Sequence, residues 1–381
     1  METMLGKKPY KFVPFNKEIS RTKPISHNGV DNKKAYSGKL KITIETLTPI
    51  HIGQGSYSFD KAGVIVNFTR RNNRITIPGS SFKGMLRSVY EAFSESCTPK
   101  LPNNCDELGN AFPNQHVDMC DDKDNLCPTC SVFGMVNDDG NSYKSKLRFG
   151  DFTLEDDEKT SIQFIKMPAL KAPFKKYPEF DNSNRPHCFT DKTTEYGNER
   201  LYYADLLDSE EAYDNFKKDT EYFPIIDGNT QRNIKFRGRK FYLHNDDETK
   251  QIRSTNKNAK RYEMISKGKK FVGEIIFQDL SQKELAILAL SLGLADGDNF
   301  KYKIGYGKPA YYGSIKLSID EVVNRRYNVE KVSIELLKKF ANNYKNNAQG
   351  SLEIAINKLS IILSNIKLGP DWQNINGNRC Y

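Results

Sequence analysis

The sequence has few apolar residues and no long apolar run. Hydrophobic residues make up 37% of its 381 residues, and no window approaches the roughly 20 consecutive apolar residues that cross a bilayer. The opening residues, METMLGKK, lack the apolar core of a secretory signal peptide. We therefore expect a cytoplasmic protein that does not bind a membrane.

Two catalytic signatures are also missing, and cysteine is scarce. The chain has neither a glycine-rich nucleotide-binding loop nor a nucleophile elbow, which leaves no motif for nucleotide hydrolysis or serine-type chemistry. Five of its seven cysteines fall between Cys97 and Cys130. In a reducing compartment this clustering indicates metal ligation rather than a disulfide framework.

Basic and aromatic residues are abundant. Lysine and arginine number 58 against 48 acidic residues, which gives a net charge of +10, and 20 tyrosines and 22 phenylalanines offer stacking surfaces. This combination favours a polyanionic partner, first of all a nucleic acid, with an acidic protein as the alternative.

The periodicity of apolar residues predicts an α+β fold. Strands are predicted at 40–47, 145–152, 271–277 and 315–319, and helices from an N-cap at Ser80 and from a capping box at Ser281–Glu284. The order strand, helix, strand, strand, helix, strand is typical of a ferredoxin-like arrangement. We predict a basic flexible arm (1–37), a first core part (38–154), an insertion (155–235), a second core part (236–320) and a C-terminal helical segment (321–381).

The motif Cys127-Pro-Thr-Cys130 predicts a metal knuckle. Zinc in a structural site takes four nitrogen or sulfur ligands, and this spacing presents two thiolates to one ion. Cys120 is close enough in the chain to be the third ligand. For the fourth we favour His116, with Cys105 and Cys97 as alternatives. Such a closed site is structural rather than catalytic.

Three segments carry candidate contacts to RNA phosphates. The first is the predicted helix start with Ser80, Ser81, Lys83 and Arg87; the second is a glycine-rich turn with Lys303, Gly305, Tyr306, Gly307 and Lys308; the third is an extended run with Lys235, Arg237 and Arg239. Helix N-termini bind anions, and glycines admit a ligand close to the backbone. An ordinary solvated helix face, a tight turn and an edge strand are the respective alternatives.

Two residues are candidates for chemistry on RNA. Asp60, in an excursion that begins at Gly53, could position a 2′-hydroxyl or a metal ion. His51 could act as a general base in metal-independent cleavage, although a strand-end histidine bonded to backbone is the competing interpretation.

Taken in order, four motifs resemble a known family. They are Pro49-Ile-His-Ile-Gly53, Ile77-Pro-Gly-Ser-Ser-Phe-Lys-Gly-Met-Leu-Arg87, Cys127-Pro-Thr-Cys-Ser-Val-Phe-Gly134 and Gly305-Tyr-Gly-Lys-Pro-Ala-Tyr-Tyr-Gly313. Together, over about residues 40–150 and 232–319, they resemble the RAMP superfamily of CRISPR proteins. More narrowly they resemble the Csm/Cmr-like backbone subunits of type III effector complexes, and the run 237–244 resembles the larger type III-D-like members.

The resemblance implies a modified RNA-recognition-motif palm with a thumb-like excursion. Its members bind guide RNA, complementary target RNA and other CRISPR effector subunits. Slicing members use an Asp in the loop after the first strand, with Mg or Mn; the nearest residue here is Asp60, although the matched position falls near Lys61. The alternatives are a stand-alone guide-RNA-processing endoribonuclease that uses His51 and a zinc-stabilised basic adaptor without catalysis.

Overall fold

The computed structural model describes residues 9–16, 18–27, 35–98, 120–137, 140–167, 223–227, 230–234, 238–325 and 330–366. The strands are β1 (Tyr10–Val13), β2 (Tyr36–Thr46), β3 (Gly53–Asp60), β4 (Gly63–Phe68), β5 (Arg70–Arg71), β6 (Arg74–Ile77), β7 (Met135–Val136), β8 (Ser142–Tyr143), β9 (Leu147–Phe149), β10 (Phe152–Leu154), β11 (Ile162–Lys166), β12 (Phe223–Asp227), β13 (Thr230–Ile234), β14 (Arg239–Tyr242), β15 (Arg261–Ile265), β16 (Lys270–Leu280), β17 (Lys301–Lys303) and β18 (Ser314–Asn324). The helices are α1 (Gly79–Ala92), α2 (Pro128–Phe133), α3 (Glu158–Ser161), α4 (Gln282–Ser291), α5 (Ile334–Asn346) and α6 (Gly350–Ser364).

A curled antiparallel sheet of eight strands forms the centre of an α+β fold. Its order is β17-β18-β2-β16-β10-β6-β5, and β9 also pairs with β16. Leu40, Ile42 and Ile44 alternate along β2 and are buried, because one face of the sheet shares its apolar core with side chains of α1, α4, α5 and α6. On the other face, Lys39 forms an ion pair of 3.0 Å with Glu274. Both predicted core parts, 38–154 and 236–320, contribute strands to this sheet.

A second sheet, in the order β11-β15-β4-β3, carries an exposed hairpin. β3 and β4 are antiparallel, whereas β15 pairs with β4 in parallel. Strand β11 falls within the predicted insertion, so the start of that segment is part of this sheet. The hairpin of β3 and β4 ends in a tight turn after Asp60 and occupies the position of the predicted excursion.

The first helix begins differently from the prediction. Ser80 is not the N-cap. The helix α1 starts at Gly79, so its N-cap is Pro78, whose side chain makes no capping hydrogen bond. Asp151 caps the helix instead, because its Oδ1 accepts a hydrogen bond from the Gly79 N–H at 2.9 Å. The carbonyl of Phe149 lies so close that a Cβ on Gly79 would sit 2.4 Å from it. The capping box of the later helix is confirmed, with Ser281 and Glu284 bonded reciprocally.

The described part of the predicted arm packs on the core. Strand β1 pairs with β14 along its whole length, and Thr22 forms a bridge with Leu126. These partners are distant in sequence, so the polar composition of residues 1–37 gave no sign of them.

Candidate functional site

Four cysteines converge beyond the end of α1. Cys97, Cys120, Cys127 and Cys130 are all buried, and their sulfurs lie within 4.8 Å of one another. Cys97 Sγ is 3.6 Å from the sulfurs of both Cys127 and Cys130. Cys127 also precedes α2 as its N-cap, which turns Cys130 back towards it. Among the described residues, this is the one group of three or more potential metal ligands so placed.

The geometry of this cluster fits a tetrahedral metal ion. With metal–sulfur distances of about 2.3 Å, the edges of a zinc–sulfur tetrahedron measure about 3.8 Å. The sulfur separations of 3.6 Å match this value and are far from the roughly 2.0 Å of a disulfide. Hydrogen bonds from Cys127, then Cys130 and Cys97, lower the pKa of Cys120 well below its ordinary value. The cluster can therefore hold a metal such as zinc.

Cys97 completes the set that sequence reasoning left open. Cys97 follows the end of α1 by five residues, so the position of that helix places Cys97 next to Cys127 and Cys130. His116, the favoured fourth ligand, and Cys105 lie outside the described residues. The signal available in sequence was only the clustering of cysteines, which does not distinguish among these candidates.

A buried polar network anchors α2 behind the metal ligands. Lys146, whose side chain is fully buried, lies 3.0 Å and 3.1 Å from the two carboxylate oxygens of Glu284. The hydroxyl of Ser131, next to Cys130, hydrogen-bonds the same carboxylate. Glu284 also belongs to the capping box of α4. Its side chain therefore connects the metal loop, residues 120–137, to α4.

The residues predicted at the start of α1 divide between the surface and the interior. Ser80 is exposed, whereas Ser81 and Lys83 are half-buried. Burial, followed by the charge of Arg87, lowers the pKa of Lys83. Arg87 itself is bound within the protein: its Nε donates to Glu91 at 2.9 Å and its Nη1 to the Gly134 carbonyl at 3.5 Å.

The glycine-rich turn packs against the segment that contains His51. The Tyr306 N–H donates to the His51 carbonyl at 2.9 Å, and a Cβ on Gly305 would lie 2.2 Å from that oxygen. Gly305 thus serves close backbone packing, and Gly307 adopts φ = 80° at the turn beside half-buried Lys308.

Two predicted phosphate contacts are instead used inside the fold. The Lys303 amine donates to the Tyr312 carbonyl at 3.0 Å, and burial lowers its pKa well below the ordinary value. The buried Arg239 donates through Nη2 to the Ser96 carbonyl at 2.9 Å, next to Cys97. Both side chains therefore have hydrogen-bond partners within the protein. Lys235 and Arg237 lie outside the described residues.

The two candidates for chemistry occupy opposite environments. Asp60 is exposed at the end of β3, where the hydrogen bond from the Ala62 N–H is the main cause that lowers its pKa; it also forms an ion pair with Arg261. His51 is buried, and its Nδ1 lies 2.7 Å from the Glu263 carbonyl. Burial lowers the pKa of His51, and its contact with a backbone carbonyl matches the competing interpretation of a strand-end histidine.

Sequence reasoning missed the aromatic side chains of the hairpin. Tyr57 is 51% exposed and Phe59 is 76% exposed. They are two residues apart on β3 and therefore share one face, and Lys260 Nζ lies 4.8 Å from the Tyr57 ring centroid. The alternation of aromatic residues within Gly53–Asp60 was the signal that could have identified this surface.

The fold and the site define a mixed α+β protein with a four-cysteine centre that can hold a metal. A family model described as the RAMP superfamily matches residues 43–373, most of the chain, and the chain belongs to the RAMP superfamily. Proteins of this superfamily generally bind CRISPR RNA and partner Cas subunits, which makes a CRISPR-associated RNA-binding role the general expectation. A search of curated proteins found no match. In the part of the chain that the structure describes, every helix is too short or too polar to cross a membrane.

Proposed function

We propose that this protein is a subunit of a type III CRISPR effector complex that holds guide RNA and helps present complementary target RNA. The family match supports the RNA partner. The chain order β2, α1, β10, β16, α4, β18 supports the ferredoxin-like palm, with the hairpin of β3 and β4 as its thumb-like excursion.

The exposed aromatic face of this hairpin carries the proposal. Contiguous exposed apolar surface often marks a binding site. Tyr57 and Phe59 project from a strand in which nearly every residue is exposed, and Lys260 adds a positive charge. Bases stack on such rings irrespective of sequence while a nearby amine attracts the phosphates. A hairpin of this kind suits contact with unpaired bases.

Phosphate contacts are proposed for polar residues at the start of α1 and beside the glycine-rich turn. The candidates are Ser80, Ser81 and Lys83 in the first segment and Lys308 in the second. Arg87, Lys303 and Arg239 have the internal partners described above. We further propose zinc as the metal of the four cysteines, in a structural role because no ligand position is left open.

The proposal does not extend to cleavage of target RNA. Asp60 is bound to Arg261, and it belongs to no group of three or more potential metal ligands among the described residues. His51 is buried with its Nδ1 next to the Glu263 carbonyl, which favours the backbone-bonded interpretation over that of a general base. Binding and presentation of RNA are the activities that the arrangement supports.

We expect the protein purified from its native host to carry RNAs with repeat-derived 5′ tags. Sequencing of the bound RNA checks this, with a mock purification as the control. RNA without repeat sequence would contradict the CRISPR role.

Affinity for a repeat-derived RNA should also fall steeply with salt, because phosphate contacts release counterions. Affinity independent of salt would favour the basic protein adaptor instead.

Replacing the exposed rings should weaken this RNA binding. We expect Phe59→Ala and Tyr57→Ala each to cost about 1–3 kcal/mol, which is about 5- to 150-fold in Kd, because each ring loses a stacked base. Ser58→Ala is the matched control, since Ser58 lies on the opposite face of β3. Fluorescence anisotropy with single-stranded repeat RNA measures the effect. Equal affinities for all three variants would show that the hairpin does not contact RNA.

A further inference from the structure

A segment of the N-terminal arm lies across the four cysteines. Residues 18–27, called the strap here, contact both chain segments that supply the ligands. The Ser20 N–H donates to the Glu95 carbonyl at 3.1 Å, two residues before Cys97. Thr22 and Leu126 exchange two backbone hydrogen bonds, of 3.0 Å and 2.9 Å, directly beside Cys127.

Side chains of the strap complete the cover. Ile19 packs against the buried cysteine cluster. Arg21 is half-buried and lies between Ser20 and Thr22, whose backbone hydrogen bonds place it beside the segments that contain Cys97 and Cys127. Burial acts to lower the pKa of Arg21, but a side-chain hydrogen bond with Cys120 and the charges of Cys120, Cys97 and Cys127 raise it above its ordinary value. Arg21 is therefore placed beside the cysteine cluster.

The charge of a loaded site explains why a cation should be there. Four thiolates around a divalent ion carry a net charge of about −2, and burying such a charge is costly unless cations or hydrogen-bond donors compensate it. Backbone amides provide part of this, as the Cys127 N–H donates to Cys120 Sγ at 3.2 Å. Two further arginines lie in this region: against the effect of burial, the charges of Glu91, Cys130 and Cys97 raise the pKa of Arg87, and Arg239 donates to the carbonyls of Ser96 and Cys97.

Arg21 differs from the other two arginines in where it is attached. Arg87 belongs to α1 and Arg239 to β14, so both are positioned by regular secondary structure. Arg21 belongs to the strap, and the backbone contacts on either side of it, at Ser20 and Thr22, are made next to the ligands themselves. The position of Arg21 and the loading of the site therefore depend on the same few contacts.

We propose that Arg21 is a positioning residue of the metal centre and that the strap closes the site, so that metal binding and strap docking stabilise each other. This inference rests on the proposed zinc occupancy. Reciprocity follows from linkage: if docking of the strap raises the affinity for the metal, the metal stabilises the docked strap by the same free energy. We therefore expect metal loss to loosen the strap where it contacts the ligand segments, while β1 stays paired with β14.

Zinc competition with a chromophoric chelator tests the role of Arg21 in the full-length protein. Groups that support metal ligands typically contribute a factor of about 10–100 in affinity, so we expect Arg21→Gln to bind zinc about 10- to 100-fold more weakly and Arg21→Lys to recover part of this. Lys23→Gln removes the same charge from the same strap, at an exposed residue paired only loosely with Asp124 at 3.7 Å, and should bind as the wild type does.

The outcomes separate this inference from the zinc assignment. Wild-type protein that takes up no zinc would overturn both. Zinc-binding wild type with equal affinities for Arg21→Gln and Lys23→Gln would overturn the role of Arg21 alone.

Hydrogen–deuterium exchange tests the coupling without any substitution. In the zinc-loaded protein we expect the amides of Ser20 and Thr22 to be protected, and after chelation to exchange at least about tenfold faster, in proportion to the linked affinity. Amides of β2 report whether the core stays folded. Strap protection that is unchanged by chelation, with β2 intact, would overturn the coupling.

Discussion

Lys146→Ala should lower the free energy of unfolding by about 3–5 kcal/mol. The side chain of Lys146 is fully buried, and its amine holds both carboxylate oxygens of Glu284. Removing one partner of a buried ion pair leaves the other charge uncompensated in a medium of low polarity, which is the costly case. The loss should also reach the metal loop and α4, because Ser131 and the capping box use the same carboxylate.

Urea unfolding followed by circular dichroism measures this loss. Lys144→Ala, two residues away at an exposed position, is the matched control and should change stability by no more than about 0.5 kcal/mol. The double replacement of Lys146 by Met and Glu284 by Gln removes both charges, so we expect a smaller loss than from Lys146→Ala alone. A loss below about 1 kcal/mol for Lys146→Ala would show that the pair is not buried as described.

Cys97→Ser should abolish stable zinc binding, whereas His116→Ala should leave one equivalent of zinc bound. The reason is that Cys97 completes a four-sulfur set with the edge length of a zinc–sulfur tetrahedron. A hydroxyl in place of one thiolate weakens a soft metal site strongly, and structural zinc supplies folding free energy to its surroundings. Chelation of the zinc and Cys97→Ser should therefore both speed hydrogen exchange over residues 120–137.

Metal content by atomic emission, with parallel hydrogen exchange over residues 120–137, decides between the ligands. Cys188→Ser is a control for the loss of a thiol outside the cluster. If His116→Ala lost its zinc and Cys97→Ser kept it, the assignment of the fourth ligand would be reversed. Carefully prepared wild-type protein without zinc would refute the zinc assignment altogether.

Local patterns predicted local structure well. The alternation over 40–47 overlaps β2, and the capping box at Ser281–Glu284 is formed with both of its hydrogen bonds. The knuckle of Cys127 and Cys130 was also evident, because two ligands on one turn of chain need no distant partner. In each case the determining contacts lie within a few residues.

What sequence reasoning missed depends on contacts between distant segments. The start of α1 is set by Asp151, more than 70 residues later, and not by Ser80. Arg239 looks like a surface cation in the sequence, yet it donates to the Ser96 carbonyl, more than 140 residues earlier in the chain. Recognising Cys97 as a potential ligand would have required knowing where α1 ends relative to the knuckle. No spacing rule provides that information.

The position of β2 has a consequence for synthesis on the ribosome. This strand lies between β16 and β18, whose residues follow it by more than 200 positions. Pairings so far apart in the chain close large loops and form slowly. During translation the apolar residues of β2 stay exposed until β16 and β18 have been synthesised, and such exposed strands are prone to aggregate. We infer that the nascent protein needs protection by chaperones until β18 has left the exit tunnel.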